Sequence, residues 1–293
     1  MFKAAEHFLL VPHDGSFSLK KADTDPGKKA PDENACGRRL AECVAEIAEL
    51  QQVLYAHDRY ALLLVFQAMD AAGKDGTIRA VLSGVNPAGC QVTSFKTPSA
   101  EELDHDFLWR TTRHLPERGR IGVFNRSYYE EVLAVRVHPA FLAAQRLPDG
   151  AGKKEFWQER YESIRAHEQH LARSGTAILK FFLNVSKDEQ RRRFLSRLDE
   201  PDKHWKFSEK DVAERAYWDE YQQAYEEALN QTSRPWAPWY AIPADNKDYM
   251  RLAVAEIVRD TLKSLKLEYP QPDAEALARF EKMRASLGGQ KKR

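Results

Sequence analysis

The sequence predicts an α/β protein: a mostly parallel sheet of about five strands, layered between helices. Three observations carry that prediction. Ala61-Leu62-Leu63-Leu64-Val65-Phe66-Gln67 is a continuous apolar run, as a strand buried on both faces requires. Further short apolar runs alternate with helical periodicity from there to Leu265. A Gly73-Lys74 pair stands between that first strand and a helix, the position of a phosphate-binding loop.

Residues before about Asp32 are rich in Lys, Asp, Gly and Pro and read as an extended arm. Leu40, Val44, Ile47, Leu50 and Leu54 then recur at helical spacing, which predicts a helix over Asp32–Ala56. After the first strand and its loop, a helix runs to about Ser83, and Asn86-Pro87-Ala88-Gly89 turns the chain. Cys90–Phe95 reads as a strand, and Ser99 with Glu102 has capping-box spacing for a helix that lasts until Pro116. Arg120–Asn125 is another strand, and a long amphipathic helix follows, ending near Ser174-Gly175. Thr176–Val185 is a strong strand, after which Ser186 and Glu189 repeat the capping spacing. Ser208 begins a helix to about Gln231, Trp239–Pro243 is a short last strand, and Tyr249–Leu265 is the closing helix. The tail Gly288–Arg293 is polar and reads as disordered.

Composition narrows the function classes. The 293 residues are 43% hydrophobic and 30% charged, which fits a globular protein with a sizeable core. A net charge of +1 gives no overall field toward nucleic acid or membrane, so neither is an expected partner. Any polyanion site must come from local clustering of Lys and Arg. Three cysteines, Cys36, Cys43 and Cys90, supply neither a disulfide framework nor zinc spacing. The N-terminal apolar run is too short for a signal peptide, and no segment has the roughly 20 apolar residues of a membrane span. A cytoplasmic location is the expectation.

The chemistry concentrates in Phe66–Thr77. In a strand–loop–helix context, backbone N–H groups cradle phosphate oxygens and a lysine neutralises their charge. Gly73 allows close approach and Lys74 is the cation, with Ala72, Asp75, Gly76 and Thr77 completing the phosphate-binding set. The pattern departs from the common form twice: Ala68 replaces the first glycine, and Asp75 replaces the metal-binding Ser or Thr. Thr77 is the candidate to take over the hydroxyl role. Asp70 is the unusual residue, because a carboxylate beside a polyanion is repelled unless a cation lies between them. Asp70 is therefore a candidate to hold a metal or orient the attacking phosphate, against a simple turn-capping role.

Several motifs together resemble a family. The run Gln67–Gly76, Ser94-Phe95-Lys96-Thr97-Pro98-Ser99 and Phe124-Asn125-Arg126-Ser127-Tyr128-Tyr129-Glu130 closely resemble the polyphosphate kinase 2 family. His204-Trp205-Lys206-Phe207-Ser208 and Ala237-Pro238-Trp239-Tyr240 extend the resemblance over roughly Leu40 to Leu265. The resemblance implies a thymidylate-kinase-like P-loop kinase fold of three layers with a helical lid. It also implies reversible, Mg²⁺-dependent transfer between polyphosphate and nucleoside mono- and diphosphates, with Mn²⁺ as a substitute ion. Adenine nucleotides are the implied partners, with guanine nucleotides as further candidates, in a homodimer or homotetramer. The form Asn125-Arg126-Ser127-Tyr128-Tyr129-Glu130 resembles the branch that acts on AMP and ADP.

These motifs fix the remaining candidates. Asn125 stands where P-loop proteins carry a metal-positioning carboxylate, and with Glu130 it is a candidate nucleotide contact. Arg126 offers forked donors suited to phosphoryl oxygens, and with Asp70 and Lys74 makes up the catalytic set. Lys96 follows a strand at the sheet's carboxyl edge, where open α/β sheets bind ligands. Arg193, Arg197 and Lys206 fall where the family carries its lid, and are candidates to close over polyphosphate. The expected organisation is an arm and helix over 1–57, a phosphotransferase domain over 58–270 with its lid around 187–232, and a C-terminal helix and tail over 271–293. The rivals are an ATP-dependent P-loop kinase, a non-catalytic phosphate-binding protein and a GTPase. The last rests on Asn246-Lys247-Asp248-Tyr249, whose aspartate falls one position early for a guanine-reading motif.

Overall fold

Five parallel strands form one sheet in the order β2-β3-β1-β4-β5. They are β1 (Ala61–Gln67), β2 (Cys90–Ser94), β3 (Ile121–Asn125), β4 (Thr176–Asn184) and β5 (Trp239–Pro243), in a computed structural model that describes residues 2–148 and 151–288. Every residue of β1, β3 and β5 is buried, which is why their sequences are apolar runs without alternation. β2 lies at one edge and is only partly buried.

The strand order positions the site. From the central strand β1 the chain goes to β2 and β3 on one side, then crosses to β4 on the other, so the crevice lies at the carboxyl ends of β1 and β3. Phe66 pairs in register with Asn125, which sets the loop after β1 beside Arg126. On one face pack the N-terminal helix (Glu33–His57), the loop helix (Lys74–Leu82) and the closing helix (Lys247–Ser264). On the other pack the Lys154–Arg173 and Trp218–Thr232 helices, with a 3₁₀ turn over Tyr128–Val132. This is the three-layer arrangement expected from the sequence.

Two predicted helices are broken. The capping box at Ser99 and Glu102 forms, yet the helix it opens is one turn, Ala100–Leu103. Asp106 Oδ1 accepts from Leu108 N at 2.9 Å, turning the chain before a second single turn at Trp109–Thr112. The segment after Ser208 is likewise Glu209–Ala213, then a 3₁₀ turn Glu214–Tyr217, and only then the Trp218–Thr232 helix.

The arm is packed. Leu10 bridges Tyr240 in antiparallel sense, while Val11 N donates to the Trp239 carbonyl and Ala241 N to the Leu9 carbonyl, each at 2.9 Å. Asn230 exchanges two hydrogen bonds with the Phe17 backbone, and Val11 and Leu19 are buried. At the other end, a helix spans Ala274–Gly288, so the predicted disordered tail loses Gly288 and its residues 289–293 lie outside those described.

Candidate active site

The loop after β1 is shaped by two left-handed residues. Ala71 has φ 61° and Gly73 has φ 110°. Only at Gly73 is glycine demanded, because a Cβ there would sit 3.1 Å from Met250 Cε in a backbone that side chains rarely adopt. Ala68 is not left-handed, so the missing first glycine costs the loop nothing in backbone strain. Lys74 Nζ reaches back to the carbonyls of Ala68 at 2.8 Å and Met69 at 3.4 Å.

Arg193 holds the loop from the lid side. Its Nη1 donates to the carbonyls of Ala71 at 3.2 Å and Ala72 at 2.6 Å, and its Nη2 to those of Ala244 at 2.5 Å and Asp245 at 3.3 Å. With Nε on Glu189 at 2.7 Å, all five donors of this buried guanidinium are in use. Arg193 thus lines the cavity while tying the loop to the turn after β5, with its donors engaged by backbone carbonyls and Glu189. Gln190 adds a hydrogen bond to the Asp70 carbonyl at 2.9 Å.

A cavity of about 600 Å³ opens in front of the loop. Asp70, Gly73, Lys74, Asp75, Gly76, Lys96, Asn125 and Arg126, all candidates from the sequence, line it. Arg197 and Lys206 line it too, and Arg197 Nη1 donates to the Lys206 carbonyl at 3.1 Å. Across the mouth, Arg126 Nη2 meets Asp70 Oδ1 at 2.6 Å, and its Nη1 meets Glu130 Oε2 at 3.4 Å. Those carboxylates, Glu130 first, hold the guanidinium firmly protonated against its burial. Asn125 Nδ2 donates to Asp75 Oδ1 at 2.6 Å. Burial pushes the Lys74 ammonium down to about 8, with Arg126 adding to the push and Asp70, Glu130 and Asp75 opposing it.

Three sequence candidates do not face this cavity. Thr77 is fully buried and its hydroxyl donates to the Gly73 carbonyl at 3.0 Å, so the expectation that it replaces the metal-binding Ser or Thr is corrected. The helix phase explains this, since residue 77 follows residue 73 by one turn and points back along the axis. Ala72 is buried behind the loop and offers only backbone. Glu130 lies behind Arg126 and lines a separate cavity of about 60 Å³ with Arg110 and Glu102.

Other residues join the cavity without having been singled out for it. Arg79, Lys203, Lys247 and Arg251 line it, as does Trp205, which is 78% exposed. Lys247 and Arg251 are four apart on the first turns of the closing helix, a spacing visible in the sequence. Asn246 accepts from Asp248 N and Tyr249 N as the N-cap of that helix, which accounts for the segment that resembled a guanine-reading motif. The cavity thus has ten basic and three acidic side chains in a chain of net charge +1, which selects a polyanion.

Comparison with known proteins gives the same direction. The family signature described as Polyphosphate kinase 2 (PPK2) matches residues 30–270. An ADP-polyphosphate phosphotransferase of Rhodopseudomonas palustris is 60% identical over 83% of this chain and 85% of its own length. An AMP/ADP-polyphosphate phosphotransferase of Meiothermus ruber is 46% identical over 90% of this chain and 95% of its own. The crystal structure of Polyphosphate Kinase 2 from Arthrobacter aurescens TC1 superposes with a TM-score of 0.81 at 42% identity, covering 91% of this chain and 93% of that one.

Proposed function

We propose a reaction from one premise: the chain belongs to the polyphosphate kinase 2 family. It is a polyphosphate-dependent nucleotide kinase, moving the terminal phosphate of inorganic polyphosphate onto ADP or AMP, and back. The observation that carries this reading is the cationic cavity itself, open around Lys74 and far richer in positive charge than a single nucleotide tail requires. A terminal nucleotide phosphate oxygen attacks the end phosphorus of the chain in line. One P–O bond forms, the adjacent anhydride P–O bond breaks, and the shortened polyphosphate leaves with the bridging oxygen. No side chain becomes phosphorylated.

Lys74 and Arg126 offset charge on the transferring group, and Asn125 orients Asp75 beside it. Lys96, Arg197 and Lys206 hold the rest of the chain, with the lid segment excluding water when it closes. A divalent cation belongs to this chemistry. No group of three or more ligating side chains exists among the described residues, but Asp70 and Asp75 both face the cavity. One or two carboxylates plus phosphate oxygens and water is how Mg²⁺ is usually held, and Mn²⁺ accepts the same donors. When bound, the ion neutralises phosphoryl oxygens and fixes their geometry. Adenine nucleotides are the acceptors in this reading, with guanine nucleotides as further candidates. A homodimer or homotetramer in the cytoplasm completes the reading, supported by the exposed Leu277, Phe280 and Met283 on the last helix and by the lack of any membrane-crossing helix among the described residues.

The test supplies ADP or AMP with polyphosphate and Mg²⁺ and no ATP. Formation of ATP from ADP, or of ADP from AMP, is expected. Strict dependence on an ATP donor would overturn the reading in favour of a conventional kinase.

A further inference from the structure

Beneath Arg126 lies a buried charged cluster that no step above uses. Glu168, on the Lys154–Arg173 helix, and Lys180, in mid-β4, are each 0% exposed and pair at 2.7 Å. Lys180 Nζ also donates to the Tyr129 hydroxyl at 2.8 Å and the Thr232 carbonyl at 2.9 Å, which fills its three donors. The other carboxylate oxygen, Glu168 Oε1, accepts from the Tyr128 hydroxyl at 2.9 Å and the Tyr129 hydroxyl at 2.8 Å. Two consecutive tyrosines of the turn after β3 are thus tied to one carboxylate.

That turn is the mounting of Arg126. Arg126 leaves β3 with φ 63°, its N–H on the Phe66 carbonyl at 3.0 Å. Ser127 Oγ then accepts from Tyr129 N at 3.1 Å, while Gln67 Oε1 accepts from Ser127 N and Oγ, each at 3.1 Å, and Gln67 Nε2 donates to Glu130 Oε1 at 3.0 Å. A non-glycine residue stays in the left-handed region only where its surroundings over-determine it, and such positions concentrate at functional sites. Among the described residues the guanidinium, 39% exposed, meets Asp70 on the cavity side and Glu130 on the other, and the turn that follows it is held by the two tyrosine hydroxyls.

A fully buried ion pair is a weak device for stability, because a well-packed apolar pair of similar volume does as well or better. Orientation is the use that the geometry supports. We propose that Glu168 and Lys180 are positioning residues for phosphoryl transfer, holding the 126–129 turn through the hydroxyls of Tyr128 and Tyr129 and so aiming Arg126 into the cavity. The inference rests on the reaction proposed above.

The test compares wild type with the double variant Glu168→Leu/Lys180→Met, which removes both charges and keeps the volume. A folded protein is expected with a melting temperature moderately below wild type, because the hydroxyls of Tyr128 and Tyr129 and the Thr232 carbonyl lose buried partners. Its kcat is lower by about ten- to a hundredfold, the scale of a misaimed catalytic group. KM for the nucleotide changes by less than about twofold, since uniform binding is untouched. Combined with Arg126→Ala, the network variant adds little further loss, because no guanidinium remains to be aimed. Should the double variant fail to fold, Tyr128→Phe keeps the ring, removes one hydroxyl, and must show the same non-additivity with a smaller fall in kcat. Wild-type kcat in the folded variant, or a loss that multiplies in full with that of Arg126→Ala, overturns the proposal. Absence of polyphosphate-driven turnover in the wild type would instead reject the reaction, so the two failures are told apart.

Discussion

Lys74, partly buried at the cavity, and Lys180, fully buried in β4, are the same residue type, and burial pushes both ammonium groups down. Their partners differ. Lys180 has a carboxylate, a tyrosine hydroxyl and a carbonyl, and Glu168 pushes its pKa back up. Lys74 hydrogen-bonds only two carbonyls of its own loop, one of them at 3.4 Å, and Arg126 repels it while Asp70, Glu130 and Asp75 attract it without pairing with it. The difference separates a charge that is complete within the fold from one that a ligand must complete. A buried lysine marks a site when its counterion is missing, whatever its burial.

The largest expected contrast comes from deleting each charge. Lys74→Met should cut turnover by about a thousandfold, the scale of losing one preorganised charge at a transition state, while the melting temperature holds or rises. Lys180→Met alone should act first on stability, destabilising the fold by about 3–5 kcal/mol because Glu168 is left as an uncompensated buried charge, with a fall in kcat smaller than that of Lys74→Met. Urea denaturation beside an ATP-formation assay reads both. Equal stability losses in the two variants would erase the distinction.

A smaller effect is expected from pH. A lysine whose pKa is lowered keeps its proton below that value and loses it above, so free enzyme surrenders the Lys74 charge as pH rises through about 8. Bound polyphosphate favours the ammonium form and raises its pKa. KM for polyphosphate should therefore climb above pH 8, while kcat at saturating polyphosphate varies less. A flat KM across that range would show that the charge of Lys74 does not contribute to binding.

The smallest expected effect concerns Thr77. Thr77→Val removes the hydrogen bond to the Gly73 carbonyl and should cost about 1 kcal/mol of stability. Mg²⁺ dependence of the rate should not move, since the hydroxyl faces away from the cavity. A shift in the Mg²⁺ requirement would restore the metal role to Thr77.

Much of this was legible in the sequence because it is local. The apolar runs at Ala61–Gln67 and Trp239–Pro243 became strands with those bounds, since a strand buried on both faces leaves no polar alternation to misread. The loop was legible because strand, Gly73-Lys74 and helix are contiguous. What escaped depends on long-range placement. Glu168 reads as one more charge on an amphipathic helix, and only the fold brings it to Lys180 and the two tyrosines. Arg193 was singled out for its charge, while its five hydrogen bonds to the loop, the turn after β5 and Glu189 emerge only in three dimensions. The helices after Ser99 and Ser208 were overextended because capping signals mark where a helix starts and say nothing of its length.

The arm has a consequence of another kind. β5 is an edge strand, and an uncovered edge offers unpaired amide and carbonyl groups to any other chain that can align with it. Leu9, Leu10 and Val11 occupy part of that edge, although the family signature begins only at residue 30. A shortened protein that begins at the family boundary would keep every residue of the cavity and expose a sticky seam. Its failure would be seen as precipitation in the expression host, ahead of any deficit in catalysis.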